Sequence, residues 1–169
     1  MTLAGICLLL GGCGYHTTGS TATKLPSDIH TIAVAAFVNK TAQYKVEQLL
    51  TQAVVREFVS RTNYHIADSE KDRSADAVLE GTVVAANLTP VTYDSGTGRA
   101  SSAVVTVAMR VTLTDRNGKV LWQNQNYNFR EQYQISREIS SFFEESSPAL
   151  ERMSRDFART LVSNVLEAY

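Results

Sequence analysis

Residues 103–129 read Ala103-Val104-Val105-Thr106-Val107-Ala108-Met109-Arg110-Val111-Thr112-Leu113-Thr114, then Asp115-Arg116-Asn117-Gly118, then Lys119-Val120-Leu121-Trp122-Gln123-Asn124-Gln125-Asn126-Tyr127-Asn128-Phe129. In the first run Ala103, Val105, Val107, Met109, Val111 and Leu113 alternate with Thr106, Arg110, Thr112 and Thr114. Successive side chains of a strand point to opposite faces, so this run has one face toward a core and one toward water. Asp115 to Gly118 has the composition of a tight hairpin turn. Val120 to about Phe129 then returns as a second, much more polar strand. Its amides, Gln123, Asn124, Gln125, Asn126 and Asn128, fit either an edge strand kept soluble or a contact face for a partner.

C-terminal to this hairpin, Tyr133 to Ser146 is ambiguous, with a short helix suggested around Ile135, Ile139 and Phe143. Ser147-Pro148 is a well-formed helix start, a capping hydroxyl followed by proline at the first helical position. Leu150, Met153, Phe157, Leu161 and Val165 then make the stripe of a helix reaching nearly to Tyr169. N-terminal to the hairpin, Val78 to Leu88 reads as a strand. Thr89 to Ser102, with Pro90, Gly96 and Gly98, reads as an exposed loop or hairpin tip. Asp68 to Asp76 is a charged turn, and Tyr64-His65-Ile66 a short, weak strand. Val46, Leu49, Leu50, Ala53, Val54 and Phe58 recur at helical spacing, so a helix is expected from about Ala42 to Arg61, capped by Asn39-Lys40-Thr41 and ended by Thr62-Asn63. Before it, Ile29 to Phe37 is apolar on both faces and reads as an inner strand. The order is β-α-β-β-β-β-α. Two helices with one apolar face each should cover the same side of an antiparallel or mixed sheet, an α+β architecture.

The chain has 169 residues and a formal net charge of −1. That charge argues against general nucleic-acid binding, which wants a basic footprint. Its opening, Met1-Thr2-Leu3-Ala4-Gly5-Ile6-Cys7-Leu8-Leu9-Leu10-Gly11-Gly12-Cys13, has a short apolar core followed by small residues, as in a secretory signal. The run is far shorter than the roughly 20 residues of a spanning helix. Leu10-Gly11-Gly12-Cys13 resembles the bacterial lipobox, in which the cysteine thiol receives a diacylglycerol before cleavage. A thiolate is the nucleophile there, and small neighbours give access to it. Residues 1–12 are therefore expected to be a lipoprotein signal peptide. No Lys or Arg precedes the apolar run, which points to a true start upstream. Residues 13–28 are the lipidated cysteine and a Gly/Ser/Thr-rich tether, and residues 29–169 a single domain. The cofactor expectation is none beyond covalent diacylglycerol and an N-acyl chain on Cys13. Gly14, rather than Asp, follows that cysteine, and by analogy with sorting signals this points to the outer membrane.

No catalytic constellation emerges, and the chain is read as a non-enzyme. His16, His30 and His65 lack carboxylates or a second His at ligand spacing, so no metal site is expected. There is no Gly-x-Ser-x-Gly elbow. Gly96-Thr97-Gly98 is too short for a phosphate loop. The basic residues stand apart. Arg99 sits at a loop tip, Arg116 and Lys119 flank a turn, and Arg110 and Arg130 lie on strands. They fit a cationic surface near one end of the sheet, able to pair with phosphates, or an ordinary mixed surface.

Cys13-Gly14-Tyr15-His16, a Gly-containing tether, Leu25-Pro26-x-x-Ile29 and a strand resemble the start of the LptE family of lipopolysaccharide-assembly lipoproteins. The element order, the helix Val46 to Phe58, the hairpin at Asn117-Gly118 and the final helix continue the resemblance. It implies two helices on one face of a mostly antiparallel, mixed four-stranded sheet, order β-α-(β)-β-β-β-α. It also implies a plug inside the outer-membrane β-barrel LptD, which assists barrel assembly and lipopolysaccharide delivery to the outer leaflet. The partners implied are an LptD-like barrel, lipopolysaccharide and a membrane through the lipid anchor, with the domain facing the periplasm or inside the barrel lumen. Arg99, Arg116, Lys119 and Arg130 are candidate lipopolysaccharide contacts by position. The run Thr31 to Phe37 with Asn39 and a helix also resembles the opening of curli-secretion-type lipoproteins, which form oligomeric pores. Two long strands, a hairpin and one terminal helix fit the first family better.

Overall fold

The computed structural model describes residues 25–43, 45–67, 74–134 and 148–168. Its strands are β1 (Thr31–Val34), β2 (Val38–Asn39), β3 (His65–Ala67), β4 (Ala77–Tyr93), β5 (Ala100–Asp115) and β6 (Val120–Gln134). The helices are α1 (Val46–Arg61) and α2 (Pro148–Glu167). The six strands form one mixed sheet in the order β3-β1-β4-β5-β6, with β2 also on β4. β1 and β2 run parallel to β4, and β3 parallel to β1, while β4, β5 and β6 form an antiparallel meander. The α+β class and both helices stand as the sequence indicates, but the sheet has six strands, not four.

The extra strands have local causes. Of the inner strand expected over Ile29–Phe37 only Thr31–Val34 forms, as β1; β2 follows at Val38–Asn39, and between them the Phe37 N–H donates to Thr51 Oγ1 (3.0 Å). The Phe37 ring lies on Gly81, where an added Cβ would meet it at 2.7 Å. The Ala35 N–H on Leu79 O (2.9 Å) and the Lys40 N–H on Val83 O (3.0 Å) carry the pairing with β4 across the break. α1 begins later than Ala42. Asn39 does not cap it: its Oδ1 accepts Thr41 N–H (2.9 Å), and its Nδ2 donates to Gln43 O (2.6 Å) and Glu47 Oε2 (2.9 Å). These bonds wind residues 39–43 into a turn, and Lys45, in the left-handed region at φ 61°, leads into the helix. Thr62 ends it as expected, its N–H (3.0 Å) and Oγ1 (2.7 Å) both donating to Phe58 O.

The expected loop Thr89–Ser102 is mostly strand. β4 continues to Tyr93 and β5 starts at Ala100, with Pro90 opposite Ala103 and register shifts beyond it. β2 leaves β4 after Val83, so the far half of β4 is an edge, where a residue without an N–H is tolerated. β6 likewise runs past Phe129 to Gln134. The short helix suggested around Ile139 lies outside the described residues.

Both helices cover one face. Val46, Leu50, Val54 and Phe58 of α1 join Leu150, Met153, Phe157, Leu161 and Val165 of α2 over the odd residues Val105 to Leu113 of β5 in one buried cluster. Each large side chain so buried contributes roughly 1.5–3 kcal/mol. Tyr127 of β6 meets Phe157 edge-on, centroids 5.5 Å apart at 88°, and its hydroxyl accepts from Asn164 Nδ2 at 3.4 Å. These contacts fix α2 over the β6 side.

Candidate functional site

With the helices on one face, the other face of the meander is polar. Its cross-strand rows include Asn87–Thr106–Arg130 and Glu80–Thr112–Gln123. The β6 members are exposed and the β5 members half-buried by their neighbours. β6 is the sheet's edge, and its amides close that edge upon itself. Asn124 Oδ1 accepts the Asn126 N–H (3.0 Å), while Asn128 Nδ2 donates to Asn126 O (3.2 Å) and Oδ1 (2.9 Å). These bonds sit where the β5–β6 register shifts, and unpaired edge groups met by a strand's own side chains resist pairing with another chain.

Two hairpin tips bound this face. In each, an aspartate holds the turn by accepting backbone N–H groups. Asp94 Oδ1 takes Gly96 N–H (3.1 Å), Thr97 N–H (2.7 Å) and Thr97 Oγ1 (2.8 Å). Asp115 Oδ1 takes Asn117 N–H (2.8 Å) and Lys119 N–H (2.9 Å). Those donors favour the anion and hold both carboxyls below the usual range: the Thr97 hydroxyl chiefly for Asp94, the Lys119 N–H chiefly for Asp115. Gly98 at φ +65° and Gly118 at φ +80° take the left-handed positions such turns require.

The candidate cations do not share one end of the sheet. Arg99 is exposed at the Asp94 tip, and Val91 and Tyr93 are exposed towards the end of β4. Arg116 and Lys119 sit at the other tip. The 16 residues of β5 separate the two, about 50 Å at strand rise. Arg130 and Arg110 lie between, opposite Thr106 and Thr82. Arg116 is also committed within the fold: its guanidinium pairs with Asp76, and its N–H donates to Asp76 O (3.0 Å). Asp76 Oδ2 accepts His30 N–H (2.8 Å) and Thr31 N–H (2.9 Å), so one buried carboxylate ties β1, β4 and the β5–β6 turn together. The His30 N–H chiefly, then Thr31 and Arg116, lower its pKa against the opposing effect of burial. Nothing in a sequence search for reactive clusters singles out Asp76.

A cavity of about 670 Å³ opens where the chain enters the domain, walled by Leu25, Pro26, Ile29, Arg61, Tyr64 and Leu166. Burial raises the Tyr64 phenol. Among the described residues no three His, Cys, Asp or Glu side chains converge on a point, and no helix is long and apolar enough to cross a membrane. Cys13 and His16 lie outside the described residues.

A family model, described as LptE, lipopolysaccharide-assembly, matches residues 29–165. The chain belongs to the LptE family. LptE membership brings a lipopolysaccharide-related partner and a membrane-associated lipoprotein as the kind of protein. No curated protein matches the chain. Among solved structures, an uncharacterized lipoprotein B from Nitrosomonas europaea is similar in fold, with 13% identity, 96% of this chain and 91% of that one covered, and a TM-score of 0.55. A putative lipoprotein from Caulobacter crescentus gives 13% identity, coverage of 79% and 88%, and 0.52. A hypothetical protein from Chlamydia trachomatis gives 10%, 83% and 97%, and 0.56. At such identities these likenesses concern the fold alone.

Proposed function

We propose that this LptE-family chain is an outer-membrane lipoprotein subunit of the lipopolysaccharide translocon. In this reading it is anchored through acylated Cys13, sits as a plug in an LptD-like β-barrel, assists that barrel's assembly and helps deliver lipopolysaccharide. It is a scaffold, not an enzyme. The observation that carries this reading is the family match across residues 29–165, which spans every described element from β1 into α2. The polar open face of the meander supports it, because a barrel lumen is lined by polar, water-exposed side chains. Of the four candidate phosphate contacts, Arg99, Lys119 and Arg130 are exposed and remain in the proposal. Arg116 is exposed as well and stays a candidate, its guanidinium pairing with Asp76. Arg99 is an exposed cation on the same hairpin end as exposed Tyr93, and a cation near apolar surface suits a phosphorylated lipid.

Purification from membranes tests the assembly. Recovery with one very large β-barrel in near-equal amounts is expected, and purification as a homo-oligomeric ring would overturn the reading in favour of a secretion-pore component. For the contact, Arg99→Glu should weaken lipopolysaccharide binding beyond the effect of added salt, and unchanged affinity would remove Arg99 from the site.

A further inference from the structure

Beyond Val83 one side of β4 is an edge, and it is guarded differently from the sheet's other edges. β3 has only three residues, and β6 turns its own amides onto its backbone. β4 instead runs on through Val84-Ala85-Ala86-Asn87-Leu88-Thr89-Pro90-Val91-Thr92-Tyr93 without one charged residue, charge being a usual guard of a strand edge. Among the described residues the last backbone bond on this side is the Lys40 N–H on Val83 O. The phase of the edge follows from the ladder. Alternate residues of an antiparallel strand turn both backbone groups to the same neighbour. Leu79 O and Val83 O accept from Ala35 and Lys40, so odd residues face the β1–β2 side up to Val83. The register shift between Val83 and Ala85 inserts one residue, after which even residues face outward. Pro90 agrees, because it stands opposite Ala103 and has no N–H to give β5. Ala86 and Leu88 therefore direct N–H and C=O groups outward, and Pro90 directs a C=O. Leu88 packs on the core between sheet and helices, while Asn87 and Thr89 are exposed.

We propose that this edge receives an extended segment of the partner barrel's chain, which adds to β4 as a strand along Ala86 to Pro90. N–H and C=O groups repeating at every second residue match an extended backbone; lipid phosphates offer acceptors alone. The segment carries apolar side chains on the helix side, beside Leu88, and polar ones on the open side, beside Asn87 and Thr89. A second copy fits less well. Two β4 edges paired antiparallel about Leu88 set each Ala86 against the other's Pro90, so a donor is missing on both strands. A proline-free strand leaves it missing on one. Edgewise addition keeps the polar sheet face open to the lumen. The inference rests on the translocon reading for the identity of the partner.

The test compares amide hydrogen exchange, residue by residue, in the free chain and in its complex with the copurified barrel. In the free chain Ala86 and Leu88 should exchange faster than Asn87 and Thr89, which face β5. In the complex both should slow at least about 10-fold. Leu88→Pro removes one outward donor and should lower barrel recovery about 10-fold, with a thermal melt showing the chain folded. Leu88→Val keeps that donor and should lose far less. If Leu88→Pro does not fold, the exchange of the unaltered chain decides. Unprotected Ala86 and Leu88 in the complex, or full recovery with folded Leu88→Pro, would overturn the proposal. So would a dimer of the free chain that protects the same amides. Absence of any barrel would overturn the translocon reading and this inference with it, whereas a barrel held without that protection would overturn the added strand alone.

Discussion

Asp76, just before β4, joins the start of β1 to the β5–β6 turn. Its carboxylate receives two backbone N–H groups and a guanidinium from separate segments. Asp76→Asn should therefore destabilise the domain by about 2 kcal/mol, the scale for hydrogen bonds to a charged group, as read by urea unfolding. Arg116→Gln should cost less than about 1 kcal/mol, because its own side chain is 59% exposed and water screens the pair. The sign of the pH dependence follows. Asp76 is held below the usual carboxylate range when folded. Asp94 and Asp115 are lowered too, but within exposed turns where water screens them, and little of the effect reaches global stability. The unfolded chain takes up these protons first, so the stabilisation is complete above about pH 4 and drains away as pH falls through the lowered values. Unfolding midpoints should be flat from neutral pH to about 5 and fall below about 4, less steeply in Asp76→Asn; a midpoint rising toward acid would contradict it. Gly81 makes a separate case. Gly81→Ala drives a Cβ into the Phe37 ring, with an expected cost of about 1–3 kcal/mol. Phe37→Leu should recover part of it, a coupling that a double-mutant cycle measures.

At the scale of elements, legibility followed periodicity. β5 and α2 were readable because one buried face repeats over many residues, every 2 or every 3 to 4, and the residues so picked out are buried. The far half of the β4–β5 hairpin was not readable. Pro90, Gly96 and Gly98 are loop signals, and only the sheet order reveals that Pro90 stands on an edge where its missing N–H is harmless. The start of α1 was misplaced for a similar reason: Asn39 and Thr41 have capping chemistry but spend it on one another and on the turn. The phosphate-contact candidates share only a cationic side chain at a turn or on a polar strand, and sequence spacing does not show that the 16 residues of β5 hold the two tips apart. The tips themselves should be locally tied. Asp94→Ala removes the acceptor of Gly96 and Thr97, so exchange of those two amides should accelerate while global unfolding stays nearly unchanged. Hydrogen exchange reads both, and a matching fall in global stability would show the tip to be part of the cooperative core.

For the whole molecule, the described core begins at Leu25, buried to 2%, twelve positions after Cys13. That stretch can span at most about 40 Å when extended, so an anchored Cys13 would confine the domain to the membrane's immediate neighbourhood. Anchor and fold then become separable. Among the described residues the buried cluster starts at Leu25, and Cys13→Ser should leave the thermal midpoint of the domain untouched. It should abolish acylation and leave an uncleaved precursor, seen as a heavier band that no longer incorporates labelled fatty acid. One acyl chain alone binds a bilayer only marginally, and stable anchoring takes more than one chain or a chain plus basic residues. Residual membrane association of Cys13→Ser should accordingly be weak and salt-sensitive. Normal processing of the variant would remove Cys13 as the anchor, and a lowered midpoint would mean that the segment before Leu25 contributes to the fold.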